Sequence, residues 1–170
     1  MSEPGEAETA GYRRGVGIML LDGDNRVFVG RRSDRSEEGV DSTWWQMPQG
    51  GLDEGEEPEA GARRELAEET GVTSARFVAR TKEWLAYDLP DELIGIAWEG
   101  RYRGQKQLWF AARFEGPESE IDLGPRDGHE QEFDAWQWVT LAELPALVVP
   151  FKRKVYLSVI EQLGAVARSG

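Results

Sequence analysis

Cysteine is absent from this 170-residue sequence, and histidine occurs once, as His129. The missing thiols exclude disulfide bonds, thiolate metal sites and a cysteine nucleophile. A single histidine excludes a zinc site built on two histidines, and a Ser-His-Asp triad would have to use His129, whose surroundings, RDGHEQ, are typical of a loop. Any catalysis would therefore have to rest on other residue types.

Long apolar runs are also missing from the sequence. No stretch approaches the roughly 18 residues that a membrane-spanning helix needs. The segment MSEPGEAETA at the start lacks the basic and apolar regions of a secretory signal. We therefore expect no membrane partner and a cytoplasmic location.

Positive charge is scarce, because 20 Lys and Arg residues face 32 Asp and Glu residues, which gives a net charge of −12 at pH 7. Such a field repels phosphate and disfavours nonspecific binding to long nucleic acids, including duplex DNA. A phosphate-bearing partner has to be bound locally. Candidate segments are YRRG, GRRSDR and FKRK, each of which could equally be solvated surface.

The hydrophobic pattern predicts one α/β domain. Hydrophobic residues make up 39% of the chain, and 170 residues suit a single core. We expect a flexible tail over residues 1–10, one domain over residues 11–165 and a C-terminal tail over residues 166–170. The runs VGIMLLD and RVFVGRR, separated by the turn signal GDN, predict a β-hairpin.

Further strands are predicted at ARFVART, EWLAYDL, QKQLWFAARFEG and EFDAWQWVTL. In the last of these, a period of two puts Phe133 and Ala135 on one face and Trp136 and Trp138 on the other. Helical spacing returns near the end of the chain, at Val155, Val159, Ile160 and Leu163. Several strands with two principal helices predict a mixed α/β sandwich.

The most informative stretch is RRELAEETG, which places Glu65, Glu68 and Glu69 within five positions. Pro58 suits the first turn of a helix here, and Gly71 suits the position just past its end. On such a helix the three carboxylates project together, while Leu66 and Ala62 turn toward a core. Three glutamates so close repel one another unless positive charge lies between them.

Two interpretations of this acidic face are open: a solvated surface, or a metal site. The glycine-rich segment GGLDEGE directly upstream permits a close approach of the backbone to a ligand. Converging carboxylates are hard oxygen ligands suited to Mg²⁺ or Mn²⁺. A divalent cation, with Arg64 as an additional counter-charge, would offset their repulsion.

From Gly50 the sequence runs as glycine, five residues, Glu56, seven residues and then RELAEETGV over residues 64–72. This arrangement resembles the Nudix box at every defining position. The resemblance implies an α/β/α sandwich, of the α+β class, with a mixed sheet and a loop–helix–loop at the box. It also implies a hydrolase that cleaves a pyrophosphate link in a nucleoside diphosphate derivative.

The resemblance also implies roles for individual residues. Glu65, Glu68 and Glu69 would bind the catalytic metal. The metal would be Mg²⁺ or Mn²⁺, with more than one ion bound. One of them, or a nearby acid, would orient or deprotonate the attacking water. The supporting residues would be Gly50, Glu56 and Arg64, with an ion pair between the last two.

Segments outside the box narrow the resemblance. WQMPQGG, GQKQLWF, EFDAWQWV and FKRKVY resemble bacterial RNA pyrophosphohydrolases and the closely related asymmetric diadenosine polyphosphate hydrolases. In that group the glutamate of EFD, here Glu132, supplies a further metal ligand, and Glu130 is a neighbouring alternative.

The same group suggests substrate-binding residues. They are Arg13 and Arg32 for the phosphate chain, Gln105 for the nucleotide end, and Phe151 with Lys152 for base stacking and an adjacent phosphate. Each has an alternative interpretation: surface charge for the arginines, a turn for Gln105 and core packing for Phe151.

The resemblance therefore implies a divalent-metal-dependent pyrophosphohydrolase whose partner is a nucleotide or the 5′ end of single-stranded RNA. Its product from a 5′-triphosphorylated RNA would be a 5′-monophosphate. The alternative substrate is diadenosine tetraphosphate or pentaphosphate. A nonenzymatic nucleotide sensor of the same fold is a third hypothesis, but such a protein would be expected to have lost a metal carboxylate, and Glu65, Glu68 and Glu69 are all present.

Overall fold

The computed structural model describes residues 11–32, 44–125 and 131–169. The predicted tail at residues 1–10, His129 and Glu130 lie outside these ranges. The strands are β1 (Tyr12–Leu21), β2 (Val27–Arg32), β3 (Trp45–Gln46), β4 (Gln49–Gly51), β5 (Ala75–Arg80), β6 (Leu85–Asp88), β7 (Gly104–Phe114) and β8 (Phe133–Val139). The α-helices are α1 (Pro58–Thr70), α2 (Leu144–Leu147) and α3 (Arg153–Ser169). None of the helices in these ranges combines the length and apolar character that crossing a membrane requires.

Strand β1 organises the sheet. It pairs in parallel with β7 along its whole length, from Tyr12 opposite Gly104 to Leu21 opposite Arg113. On its other side it pairs antiparallel with β2 at one end and with β4 at the other. Strands β3 and β8 pair with β2, and β5 and β6 pair with β7, all antiparallel. The sheet is therefore mixed, and the predicted hairpin of β1 and β2 is confirmed.

Alternation along β1 divides the core into two layers. Ile18 and Leu20 belong to one buried cluster, which includes Ala62 and Leu66 of α1. The intervening Met19 belongs to the other cluster, which contains the buried side chains of α3. Since successive side chains of a strand point to opposite faces, one helix covers each face of the sheet. This arrangement confirms the predicted α/β/α sandwich.

Helix α1 begins and ends where the sequence predicts. Pro58 lies in its first turn, where the missing N–H costs no hydrogen bond. Gly71 follows its last residue in a left-handed conformation, with φ 78°, and its N–H donates to the carbonyl of Ala67 at 2.9 Å. Ala62 and Leu66 are buried as expected. The buried face also includes Glu69, which places a carboxylate at the edge of the core.

Strand β8 departs from the predicted alternation. Its pairing with β2 shifts in register, and Asp134 is the extra residue of a β-bulge. The bulge turns Phe133 toward the same face as Trp136 and Trp138, and all three rings contact Phe28. The prediction that Phe133 opposes the tryptophans is therefore wrong, because a period of two does not hold across an inserted residue.

The predicted C-terminal tail over residues 166–170 starts inside a helix, because α3 extends to Ser169. Val166 packs against the core and Ala167 is buried within it. These two residues follow Leu163 by three and four positions, so the apolar face of the helix continues past the predicted boundary.

Replacing Leu66 by Ala should lower the free energy of unfolding by about 2 to 5 kcal/mol, because Leu66 is 1% exposed and its removal leaves a cavity beneath α1. Leu157→Ala on α3 is the matched control. Its side chain is 50% exposed, so we expect a change within about 0.5 kcal/mol. Urea unfolding of the three proteins measures both values, and equal losses would contradict the assigned core.

Candidate active site

Strand β4 brings a glycine-rich backbone against the acidic face of α1. A side chain at Gly50 would overlap the carboxylate of Glu65, and one at Gly51 would overlap the guanidinium of Arg13. The N–H of Gln49 donates to Oε1 of Glu69 at 3.3 Å. The two glycines are therefore required by close approach, and β4 holds two carboxylates of the helix.

Arg64 lies among the acidic groups. Its Nε and Nη2 donate to the two carboxylate oxygens of Glu56, both at 2.8 Å. Its Nη1 donates to Glu65 at 3.0 Å and to Glu68 at 3.2 Å. Its Nη2 also donates to the carbonyl oxygen of Gly51 at 3.0 Å. The positive charge beside these glutamates is therefore supplied, in this structure, by Arg64, and the expected ion pair with Glu56 is present.

The three glutamates of the helix do not share one environment. Glu65 and Glu68 both contact Arg64, whereas Glu69 is buried and its Oε1 accepts from the N–H of Gln49. Burial raises the pKa of the Glu65 carboxyl above its usual range. Burial also raises the pKa of Glu69, and repulsion by the charges of Glu132 and Glu65 adds to this effect.

This donor set is chemically suited to a divalent cation. Glu65 and Glu69 of α1 and Glu132, which directly precedes β8, offer hard oxygen atoms, and Glu65 and Glu132 line the same cavity. Their mutual repulsion is the kind that a bound cation relieves. Within the described part of the chain, no three acidic or histidine side chains are already placed to hold a metal ion together.

The cavity beside these carboxylates has a volume of about 310 Å³. Basic and aromatic side chains form part of its wall. The lining residues that bear on its chemistry are Arg13, Arg32, Tyr87, Trp98, Phe151 and Lys152. Five of the candidate residues from the sequence, Arg13, Arg32, Glu132, Phe151 and Lys152, are thus brought together around one cavity with Glu65.

Phe151 and Lys152 also line this cavity. The ring of Phe151 lies 5.7 Å from that of Tyr87, centroid to centroid. Lys152 is buried, and its Nζ donates to Oε1 of Gln46 at 3.1 Å. Arg32 is also largely buried, with Nη2 3.9 Å from Oε2 of Glu132. Phe151 therefore faces the cavity rather than serving only the core.

Gln105 lies behind the cavity. Its side chain is fully buried in β7, and its Oε1 accepts hydrogen bonds from Tyr87 at 3.0 Å and from Gln107 at 3.1 Å. Gln107 also donates to Gln49 at 2.9 Å. Gln105 therefore does not lie in a turn, and it is not among the described residues that line the cavity. It accepts a hydrogen bond from Tyr87, which does line the cavity.

Sequence analysis missed Tyr87 and Trp98. Tyr87 lies on a correctly predicted strand, β6, where the alternation of EWLAYDL marks it as inward-facing. Trp98 belongs to the connection between β6 and β7, which follows neither a helical nor a strand period. No local signal separates Trp98 from the other tryptophans of the chain.

A protein-family model described as NUDIX domain matches residues 11–159 of this chain. The chain belongs to the NUDIX family. Nudix hydrolases use divalent metal ions, in agreement with the donor set of Glu65, Glu69 and Glu132. The predicted enzyme class, a Nudix hydrolase, is therefore confirmed.

Curated relatives cover almost the whole of this Nudix chain. An RNA pyrophosphohydrolase of Mesorhizobium japonicum is 51% identical over 166 residues, which is 96% of each chain. An RNA pyrophosphohydrolase of Rhodopseudomonas palustris is 51% identical over 155 residues, which is 91% of this chain and 88% of the relative.

Among solved structures, a binary complex of a C. elegans Ap4A hydrolase superposes with a TM-score of 0.65. It is 16% identical in sequence, and the match covers 93% of this Nudix chain and 99% of that one. At this identity the likeness concerns the fold, and it supports the assignment of the sandwich.

Replacing Glu56 by Gln should lower the free energy of unfolding by about 2 kcal/mol at pH 7, because the two charged hydrogen bonds to Arg64 are weakened. Arg64 lowers the pKa of Glu56 from 4.5 to about 2. The contribution of this pair is therefore complete above pH 4.5, decreases as the pH falls and is lost near pH 2. Urea unfolding from pH 7 to pH 3 measures the difference between the two proteins.

Glu59→Gln is the matched control for this effect, since Glu59 pairs with Arg63 at 3.0 Å on the exposed side of the same helix. We expect a change within about 0.5 kcal/mol. A difference between wild type and Glu56→Gln that stays constant down to pH 3 would contradict the role of Glu56.

Proposed function

We propose that this Nudix hydrolase is an RNA pyrophosphohydrolase, which removes pyrophosphate or phosphate from 5′-triphosphorylated RNA and leaves a 5′-monophosphate. The observation that carries the proposal is the 51% identity to an enzyme of that name across 96% of both chains. The cavity supports it, because carboxylates, cations and an aromatic ring line the same space.

The carboxylates are the proposed metal ligands. Glu65, Glu68, Glu69 and Glu132 would hold Mg²⁺ or Mn²⁺, with more than one ion bound. When bound, the cation neutralises charge on the phosphate oxygens and makes water more acidic. The shared cavity of Glu65 and Glu132 supports this assignment, as does the burial of Glu69 on the same helix as Glu65. In the proposed set Glu68 serves both Arg64 and the metal.

The chemical step needs a proton acceptor among these side chains. A water oxygen attacks a phosphorus atom of the triphosphate, the bridging P–O bond breaks, and the leaving phosphate takes the bonding electrons. The water proton passes to a carboxylate of the group Glu65, Glu68 and Glu69. Gly50, Glu56 and Arg64 support this group by giving it space and by fixing the helix against β4.

The basic and aromatic residues are the proposed substrate contacts. Arg13 and Arg32 would bind the phosphate chain, Phe151 would stack on a base, and Lys152 would bind an adjacent phosphate. Gln105 would act indirectly, through its hydrogen bond to Tyr87. The four direct residues line one cavity of about 310 Å³, a size suited to small ligands.

The negative charge of the chain favours a short or single-stranded RNA end. A net charge of −12 gives no general attraction to long nucleic acids, so affinity has to come from the cavity. The proposal includes the cytoplasmic location expected from the sequence.

The deciding assay compares kcat/KM, with Mg²⁺, for a short 5′-triphosphate RNA and for diadenosine tetraphosphate and pentaphosphate. We expect the RNA to be the better substrate. A clear preference for the dinucleotides would replace the proposal by the alternative function. Turnover of none of them would favour a nucleotide sensor.

Glu69→Gln should reduce turnover at least about 100-fold, because it removes a metal ligand. Its amide oxygen can still accept the hydrogen bond from Gln49, so the fold should be retained. Added Mg²⁺ should raise the Tm of the wild type and leave that of Glu69→Gln nearly unchanged. Glu68→Gln is expected to lose turnover as well.

The matched control is Glu161→Gln, an exposed glutamate of α3, which should keep wild-type turnover and the Mg²⁺-dependent rise in Tm. Full turnover in both Glu68→Gln and Glu69→Gln would contradict the metal assignment.

A further inference from the structure

Trp98 lines the cavity from a backbone conformation that is costly to maintain. Its φ and ψ are 52° and 40°, and those of Glu99 are 59° and 26°. Two successive residues with side chains in the left-handed region persist only where the surroundings hold them there. Buried Leu93 and Ala97 anchor the segment, since the N–H of Ala97 donates to the carbonyl of Leu93 at 3.1 Å. The fold thus keeps the Trp98 indole at the cavity although the backbone conformation of this residue is unfavourable.

The indole contacts a cavity cation. The guanidinium carbon of Arg13 lies 5.4 Å from the ring centroid of Trp98, within the range of a cation–π interaction. The guanidinium also lies close to Gly51, where an added side chain would overlap it. Both Arg13 and Trp98 line the cavity that also contains Glu65.

Arg13 differs from the other cavity cations in its partners. Arg32 has a carboxylate oxygen of Glu132 3.9 Å away, and Lys152 donates to Gln46. In the described ranges no carboxylate forms an ion pair with Arg13. An aromatic face restrains a guanidinium without neutralising its charge or occupying its N–H donors. The charge and the donors of Arg13 are thus available to an anion in the cavity.

We infer that Trp98 is a positioning residue, which holds the Arg13 guanidinium over the cavity for the polyphosphate chain of the substrate. The inference rests on the proposed function in that the ligand carries such a chain. An arginine already held in place loses less side-chain freedom when the phosphate binds. Trp98 therefore increases affinity for phosphate through Arg13.

The test is a double-mutant cycle on the binding of inorganic tripolyphosphate, measured by calorimetry in Mg²⁺ buffer. Trp98→Leu, which keeps apolar bulk and loses the aromatic face, should weaken binding about fivefold. Trp98→Phe should stay within about twofold of wild type. In an Arg13→Gln background, Trp98→Leu should change the affinity less than about twofold, because its effect acts through Arg13.

A matched pair on the opposite face of β1 provides the control. The guanidinium of Arg14 lies 5.3 Å from the ring of Trp84, and neither is among the described residues that line the cavity. Trp84→Leu removes the same type of contact and should leave tripolyphosphate affinity unchanged. Trp98→Met, with an adaptable unbranched side chain, takes the place of Trp98→Leu if the latter fails to fold.

Three results would overturn the inference: wild-type affinity in Trp98→Leu, an equal loss in both Arg13 backgrounds, or no tripolyphosphate binding by the wild type. Failure of the proposed function has a different signature. It would appear as a lack of turnover of triphosphate RNA by the wild type, while the tripolyphosphate affinities of the variants still report on Trp98.

Discussion

The guanidinium of Arg64 connects the parts of the site that the chain delivers separately. It binds Glu56 from the loop before α1, the carbonyl of Gly51 from β4, and Glu65 and Glu68 from its own helix. Arginine suits this position because its planar group donates in several directions at once and stays charged when partly buried. Arg64 therefore offsets the repulsion between the glutamates of α1, which allows this helix to pack against the sheet.

The division of pairing along β1 makes this connection possible. Strand β2 pairs with β1 at Leu21, and β4 pairs with it over Gly15–Gly17, so the backbone of β4 enters the sheet next to α1. The same strand carries Arg13 toward the cavity and its neighbour Arg14 toward the opposite face. Strand β1 thus positions both Arg13, a cation that lines the cavity, and β4, which contacts Glu65 and Glu69.

Sequence alone predicted the features that depend on local spacing. The ends of α1 follow from Pro58 and Gly71, the burial of Leu66 from helical periodicity, and the hairpin from the turn signal GDN. The structure agrees on each of them. The bulge at Asp134 was not predictable, because no residue pattern marks an insertion opposite β2. The burial of Gln105 depends on Tyr87 and Gln107, which meet it only in the folded sheet.

The sequence predicted which residues belong to the site more fully than it predicted the contacts between them. The family resemblance pointed to the carboxylates, to the ion pair of Arg64 with Glu56 and to half of the residues that line the cavity. It did not predict the hydrogen bond from Arg64 to the carbonyl of Gly51, which forms only where β4 packs against the helix. The metal-binding and substrate-binding roles of these residues stay predictions.

The parallel pairing of β1 with β7 has a consequence for synthesis of the chain. Strand β1 is synthesised well before β7 (Gly104–Phe114). The edge of β1 that pairs with β7 therefore stays uncovered until β7 has been made. Until then its backbone N–H and C=O groups along that edge are open to other chains. Contacts between such distant segments also slow folding. The nascent protein is therefore most prone to aggregation before β7 has been translated. The lining of the cavity is complete only after Phe151 and Lys152 have been synthesised.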